Sequence, residues 1–571
     1  MALTPIATKI YYDYIWKSEK KDLADFLYGN PPQTMGEAAQ RAPRILEAYQ
    51  ETNFVPEKRL DSLKSVLLET NSRLGCLTPA VEDSIDNLSN GAVEAAHQSV
   101  VMGGPCYILN KAASAKIVSS FSKENNLSAF FFVGDYDEVQ AELVNIRTPL
   151  MGQSGNLISL PVPEGYEHSP VSILPLPDST WYSEVENSIR KNYNDLFKPL
   201  SGTGTKLLEE RLEAALAVTR WSFYNSETLG EWAQRIIGRL LNVEGDLGLP
   251  VLPSSNPEIR KLMTEGFEYL LAAQNRKKFV EAQTRATRLI EENGFDTGAG
   301  ERSPDYVPFF YECQEKGCHS SRVEMHYRQE GARAILTGRC PSCGRPVKLE
   351  FDAEKPDLSE IAENISPRVD SRQFVIDTIL PIVVHIGGGG ETAYYAQVIP
   401  VAEELGVPFP SFLKYPRVYF NTPWAEGLSR TLKQKDKPTL HGGDMFNTIG
   451  RITRARQSED YSEMNSAAQD FRSLLHSSHK KINQGIEQLE KERKKASGKN
   501  NQQLQITRLE MERYLSWVYG QYTKGKIGQE ATWSWIEWVI NSGFTDLFGP
   551  YERAYVPELK NGSTLFVNFM V

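Results

Sequence analysis

Val100-Val101-Met102-Gly103-Gly104-Pro105-Cys106-Tyr107, followed further along by Phe130-Phe131-Phe132-Val133-Gly134-Asp135, decides the fold. A strand ends near Val101, a glycine bend follows, and residues 107–123 read as a helix. The aromatic run is short, apolar and closed by Gly-Asp, as a buried strand is. Strand, glycine turn, helix and strand make the unit from which parallel sheets are built. A second unit lies downstream. The β-branched run from Thr378 to Ile386 leads into Gly387-Gly388-Gly389-Gly390, then a helix from Glu391 to Leu405 that Pro400 should bend. Residues 407–420 then return to the sheet. The expected class is α/β.

The rest of the chain attaches to these units. The residues before about 90 read as helical, with Leu60, Leu63, Leu67 and Leu74 close to a helical period. Pro161 to Pro177 is a proline-rich excursion. Residues 205–296 are again helical. After 456, Met464, Phe471, Leu475, Ile482, Ile486 and Leu489, then Leu504, Met511, Leu515 and Val518, recur at helical spacings around the polar turn from Lys491 to Asn501. That predicts two long helices folded back as a coiled-coil hairpin. The tail from Thr564 to Val571 alternates as a strand does. The segments are 1–200 (helices and first half of the core), 201–304 (helical insertion), 305–352 (ribbon), 353–455 (second half of the core) and 456–571 (hairpin and tail).

Four of the six cysteines cluster as Cys313-Gln-Glu-Lys-Gly-Cys318 and Cys340-Pro-Ser-Cys343-Gly344. Two such knuckles offer four soft ligands in a set that suits tetrahedral zinc. Val323, Met325 and Tyr327, then Ala334 and Leu336 beyond Gly331, alternate as a hairpin that would bring the knuckles together. His319 or His326 could replace one thiolate. Four protein ligands leave no open position, so the metal is expected to be structural. Cys76 and Cys106 read as small buried apolar residues.

The formal net charge of −10 argues against general nucleic-acid binding, which needs clustered Lys and Arg. The start, Met-Ala-Leu-Thr-Pro-Ile-Ala, has neither the basic region nor the apolar run of a signal peptide. The apolar run Ile376 to Ile386 contains Asp377 and Pro381, and no stretch approaches a membrane span. A cytoplasmic protein without membrane partners is expected.

His97-Gln98 leading into Gly103-Gly104-Pro105-Cys106-Tyr107, then Lys111-Ala112 and Gly134-Asp135-Tyr136-Asp137, resembles the cysteine-adding enzyme family of bacillithiol biosynthesis. The second half is closer: Asp377-Thr-Ile-Leu-Pro381, Gly387 to Glu391, Tyr394-Tyr395-Ala396-Gln397 and Gly406-Val-Pro-Phe-Pro, with Asn71-Ser-Arg73-Leu74-Gly75 upstream. The resemblance covers nearly the whole chain, the last 100 residues only in their helical-hairpin character. It departs where His97 replaces a glutamine, Tyr136 a histidine and Gly134 an acidic residue. The cysteine ribbon is an addition.

This resemblance implies a doubly wound Rossmann-like nucleotide-binding core and a carboxy-terminal coiled coil that makes a homodimer. It implies a ligase that joins cysteine to glucosaminyl-malate, an amino-sugar malate conjugate, with ATP activating the carboxylate. Ligands of open parallel sheets sit at the carboxyl ends of strands. Gly103, Gly104, Gly387, Gly388 and Gly389 would let the ligand approach the backbone there, and the following helix starts favour anions. Asp135 and Asp137, sharing a direction if the strand continues, could hold an amine or magnesium or orient a proton donor. His97 and Gln98 precede the first loop. Asp377, Glu391, Tyr394 and Gln397 surround the second, and His385 ends its strand. A ligase of the same fold for another amino acid or acceptor, and a noncatalytic scaffold built on the ribbon and coiled coil, are the alternatives.

Overall fold

The computed structural model describes residues 6–122, 126–151, 155–198, 203–439, 447–448, 450–452, 454–455, 461–520, 522–523, 526–527 and 529–569. Five strands form the central sheet: β1 (Ala92–Gln98), β2 (Ser128–Gly134), β3 (Val251–Pro253), β4 (Ile382–Gly387) and β5 (Ser411–Lys414). Their spatial order is β5-β4-β1-β2-β3, with every pair parallel. The chain starts in the middle, runs to one edge, returns and runs to the other. This is the doubly wound pattern, and its strand order reverses between β1 and β4.

Three helices matter for the site: α1 (Tyr107–Ser120), α2 (Pro257–Leu271) and α3 (Gly389–Leu405). Val93, Ala95, Phe131 and Val133 share one core with Leu109, Ala112 and Ala113 of α1. Ala92, Ala96, Phe130 and Phe132 share another with Met263 and Phe267 of α2 and Val398 and Val401 of α3. The alternation along each strand thus loads both faces of the sheet, as buried parallel strands require. Pro400 lies inside α3.

Three expectations change. The segment 201–304 is not a purely helical insertion, since Val251-Leu252-Pro253 supplies the β3 edge strand. A run so short leaves no period to read. Thr378 to Pro381 is not strand: Arg372–Asp377 is a helix and β4 begins at Ile382. Residues 407–420 split, Ser411–Lys414 joining the sheet and Arg417–Asn421 pairing in parallel with Thr564–Asn568 instead. That pairing uses the tail; Met570 and Val571 lie outside the described residues.

The cysteine segment is an antiparallel sheet in the order 365–367, 309–312, 322–330, 333–339, 346–352. At the other end, α4 (Tyr461–Arg493) and α5 (Gly498–Gly520) lie against each other as two long helices. Phe471, Leu475, Ile482 and Leu489 of α4 and Met511, Leu515 and Val518 of α5 are buried, while the Met464 side chain lies outside the described residues. Among the described residues, no helix is long and apolar enough to cross a membrane.

Candidate active site

A cavity of about 640 Å³ opens at the carboxyl ends of β1 and β4, where the strand order reverses. His97 and Gln98 come to it from the end of β1, and Gly388, Gly389, Gly390 and Glu391 from the start of α3. Lys111 of α1, Arg372, Tyr136 and Asp137 add to the polar lining. A second lobe of about 400 Å³ shares His97, Gln98, Tyr107 and Glu142 with the first and adds Arg147 and Leu157.

Beneath the cavity runs a buried chain of charges. Strand pairing sets Glu94 of β1 beside His385 of β4. Glu94 is fully buried, its Oε2 lies 2.8 Å from His385 Nδ1, and its other oxygen accepts from Arg372. His385 Nε2 faces Glu391 Oε1 at 3.5 Å. Glu391 Oε2 accepts from Lys111 Nζ at 2.8 Å and from the Gly388 amide at 2.5 Å. Lys111 Nζ also donates to the Ala96 carbonyl at 2.8 Å. Tyr395 stacks on His385, accepts from Arg372 and donates to Gln373. Burial pushes the Glu94 carboxyl up, but the Arg372 guanidinium and His385 outweigh it and hold the group at about 2. Burial acts likewise on Glu391, and Lys111 with His385 holds it well below the usual carboxylate range. Both carboxylates are therefore ionised at neutral pH.

The predicted residues divide. His97, Gln98, Asp137, Gly388, Gly389, Glu391 and Tyr394 line the cavity. Gly103 and Gly104 do not. They adopt φ of +78° and +101°, and a Cβ on Gly103 would lie 2.4 Å from Ile236, so the bend packs against the interior behind His97. Gly387 is closed off by Phe412, 2.3 Å from where its Cβ would be.

Asp135 is not a partner of Asp137 in the cavity. β2 ends at Gly134, so the alternation that would align the two carboxylates has already stopped. Asp135 is fully buried and accepts from Gln234 Nε2 and Ser254 Oγ, both at 2.6 Å, and from the Ser255 amide at 2.8 Å. It ties the end of β2 to the residues after β3. Burial raises its pKa, partly offset by the Ser254 and Ser255 hydrogen bonds. Tyr136, which continued alternation would turn away, lines the cavity.

Asp377 lies at the far rim, on the helix before β4, where it accepts from Gln373 Nε2 at 2.9 Å. Burial pushes its carboxyl well up. Gln397 acts one layer back. It accepts from the Ala299 amide at 2.8 Å and donates to Thr287 Oγ1 at 2.7 Å. That holds the loop whose Gly298 lines the mouth of the cavity.

Glu94 and Arg372 are not among the sequence candidates, and Lys111 enters there only through the resemblance. A signal existed for Glu94: a charge in the middle of Ala-Val-Glu-Ala-Ala, on a strand paired on both sides, must find a buried partner. Arg372 carried no such mark, because its helix was not foreseen.

Away from the cavity, the Sγ atoms of Cys313, Cys318, Cys340 and Cys343 all lie within 4.8 Å of one another. Cys340 and Cys318 Sγ are 3.9 Å apart. Tetrahedral zinc with bonds of about 2.3 Å separates its sulfurs by about 3.8 Å, so this donor set fits the ion. The Arg345 backbone amide is the main influence that brings the Cys343 thiol down to about 7. The histidine alternatives are elsewhere: His319 stacks on Tyr166 and His326 Nδ1 lies 2.9 Å from Asp305. Cys76 and Cys106 are buried.

The family description "Bacillithiol biosynthesis BshC, N-terminal Rossmann-like domain" matches residues 183–417. Relatives named "Putative cysteine ligase BshC" are similar to the chain. The protein from Chloroherpeton thalassium is 32% identical over 128 residues, 22% of this chain and 20% of its own length. That from Cytophaga hutchinsonii is 24% identical over 215 residues, 37% of each chain. That from Desulforamulus reducens is 20% identical over 523 residues, 86% of this chain and 87% of its own length. The first two similarities thus span well under half of those relatives.

Proposed function

We propose that the chain, which matches the bacillithiol-biosynthesis BshC family over residues 183–417, is a member of that family and an ATP-linked cysteine ligase acting on glucosaminyl-malate. The carrying observation is the cavity at the reversal between β1 and β4, with a cation, a helix start and a carboxylate on different walls. Amide formation from a free carboxylate is uphill in water, so the carboxyl of cysteine must first be activated. The open amides at Gly389 and Gly390, at the start of the 17-residue helix α3, suit a phosphate group. Lys111 adds a fixed positive charge beside them. Asp137 on the opposite wall suits the incoming amine, which attacks the activated carbonyl carbon as the phosphate-bearing group leaves. Gln98 donates to Asp137 and holds its second oxygen.

The same reading takes the four cysteines as a structural zinc site, the α4–α5 hairpin as a homodimer contact, and the cytoplasm as the place of action. One feature favours a ligase of the same fold for a different amino acid or acceptor: His97 and Tyr136, which depart from the family pattern, both line the cavity. Purified protein incubated with ATP, cysteine and glucosaminyl-malate, alongside a panel of amino acids and amine acceptors, separates the two. Accumulated glucosaminyl-malate in cells lacking the protein supports the cysteine ligase. Unchanged thiols together with no ATP binding would leave a noncatalytic scaffold.

A further inference from the structure

The ribbon touches a residue that lines the cavity. Arg322 stands four residues after Cys318, and its guanidinium lies under 4 Å from the site: Nη1 is 3.8 Å from Asp137 Oδ1. Asp137 is therefore held from two sides, by Gln98 of the core and by Arg322 of the ribbon. Arg322 is itself fixed. Its side chain is 8% exposed, lies 4.1 Å over Phe310 and donates to the Pro367 carbonyl at 3.2 Å.

The backbone repeats the connection. Residues 134–140, which carry Tyr136 and Asp137, are tied to residues 169–172: the Val139 amide donates to Ser169, Val171 to Asp137 and Ser172 to Asp135, at 2.9–3.0 Å. That outer segment is gripped by the first knuckle, through the Arg322 amide on the His168 carbonyl at 2.9 Å and the His319 ring stacked 3.9 Å from Tyr166. The knuckle is closed by the Cys313 amide on Ser321 and the Ser321 amide on Cys318. Removing a metal from thiolates this close lets them repel or reorganise, and the turn that aims Arg322 goes with them.

We propose that the four-cysteine ribbon braces the ligand cavity's wall from behind, with Arg322 as a positioning residue for Asp137, so that metal loading sets how well the cavity holds an amine. The second half of this statement rests on the ligase reading; the first does not.

The full chain, zinc-loaded and chelator-treated, is compared by hydrogen exchange. Metal removal should speed exchange at least tenfold in peptides covering 134–140 and 166–172, with β1 and β4 still protected. Exchange changes confined to 313–345 overturn the claim that the ribbon braces the wall. Arg322→Gln should keep its zinc and melting temperature, raise KM for the amine substrate at least tenfold and leave KM for ATP unchanged. Arg322→Lys should recover to within about threefold. An unchanged amine KM in Arg322→Gln overturns the positioning role. If the wild-type chain turns over no amine substrate, the ligase reading has failed and the positioning of an amine by Arg322 falls with it, while the exchange result still decides whether the ribbon braces the wall.

Discussion

Lys111 and Glu391, which stand 280 residues apart in sequence, meet at 2.8 Å on the floor of the cavity. One belongs to α1 and the other to α3, so this ion pair joins the two helices that flank the strand reversal. Both side chains are largely buried, at 6% and 17% exposure. Removing one partner of such a pair strands the other charge, at a cost of about 3–5 kcal/mol. Lys111→Met should lower stability by that order in urea titration and abolish ATP binding by calorimetry. Adding Glu391→Gln should restore most of the stability and none of the binding. Restored binding in the double variant would remove Lys111 from the phosphate-side role.

The Glu94 network predicts the acid response. Glu94 titrates at about 2 in the folded protein, against an ordinary value of 4.5. A carboxyl with a depressed folded pKa gives its stabilisation in full above the unfolded value and loses it as pH falls through the folded one. The window is therefore pH 4.5 down to 2, and the loss is roughly 3 kcal/mol. Glu94→Gln should flatten the fall in stability over that range relative to wild type, measured by denaturant titration at successive pH values. A fall of the same size in the variant would assign it to other groups.

The cysteine cluster predicts one zinc per chain by elemental analysis. Cys340→Ser, at a buried ligand, should reduce zinc retention at least tenfold under chelator competition, and Cys313→Ser should behave alike. His326→Ala should keep the metal, because His326 is engaged with Asp305. Zinc loss in that variant would restore histidine as a ligand.

The sheet was legible from residues because its two glycine-bearing units combine short apolar runs with turn signals, and pattern reports burial directly. β3 escaped because its three residues carry no period. At the site, the residues legible in advance stood at the carboxyl end of β1 and at the start of α3, such as His97, Gln98, Gly388 and Glu391. Asp135 misled because direction along a strand holds only while the strand lasts, and β2 stops one residue earlier. Asp377 misled because it precedes β4, which puts it at the amino end of that strand and away from the cavity at the carboxyl ends. The Arg322–Asp137 contact joins segments whose approach depends on how the ribbon packs, and no local spacing encodes that.

The glycines at the start of α3 separate a packing role from a binding one. A Cβ on Gly389 or Gly390 would meet nothing within 4 Å, and both positions lie in the first turn of the helix. Alanine there is favoured over glycine by roughly 0.5–1 kcal/mol in helical backbone, so Gly389→Ala and Gly390→Ala should fold at least as stably as wild type. The added methyl group would instead project into the cavity, where a phosphate is expected to approach the amides, and KM for ATP should rise at least tenfold. Gly298→Ala is the contrast: its Cβ would fall 2.3 Å from the Tyr394 amide nitrogen, so backbone must move, at a cost of about 1–3 kcal/mol. Stability by denaturant titration and KM by steady-state assay, measured on all three variants, should therefore change in opposite order. An unaltered ATP KM in both α3 variants would place the phosphate elsewhere.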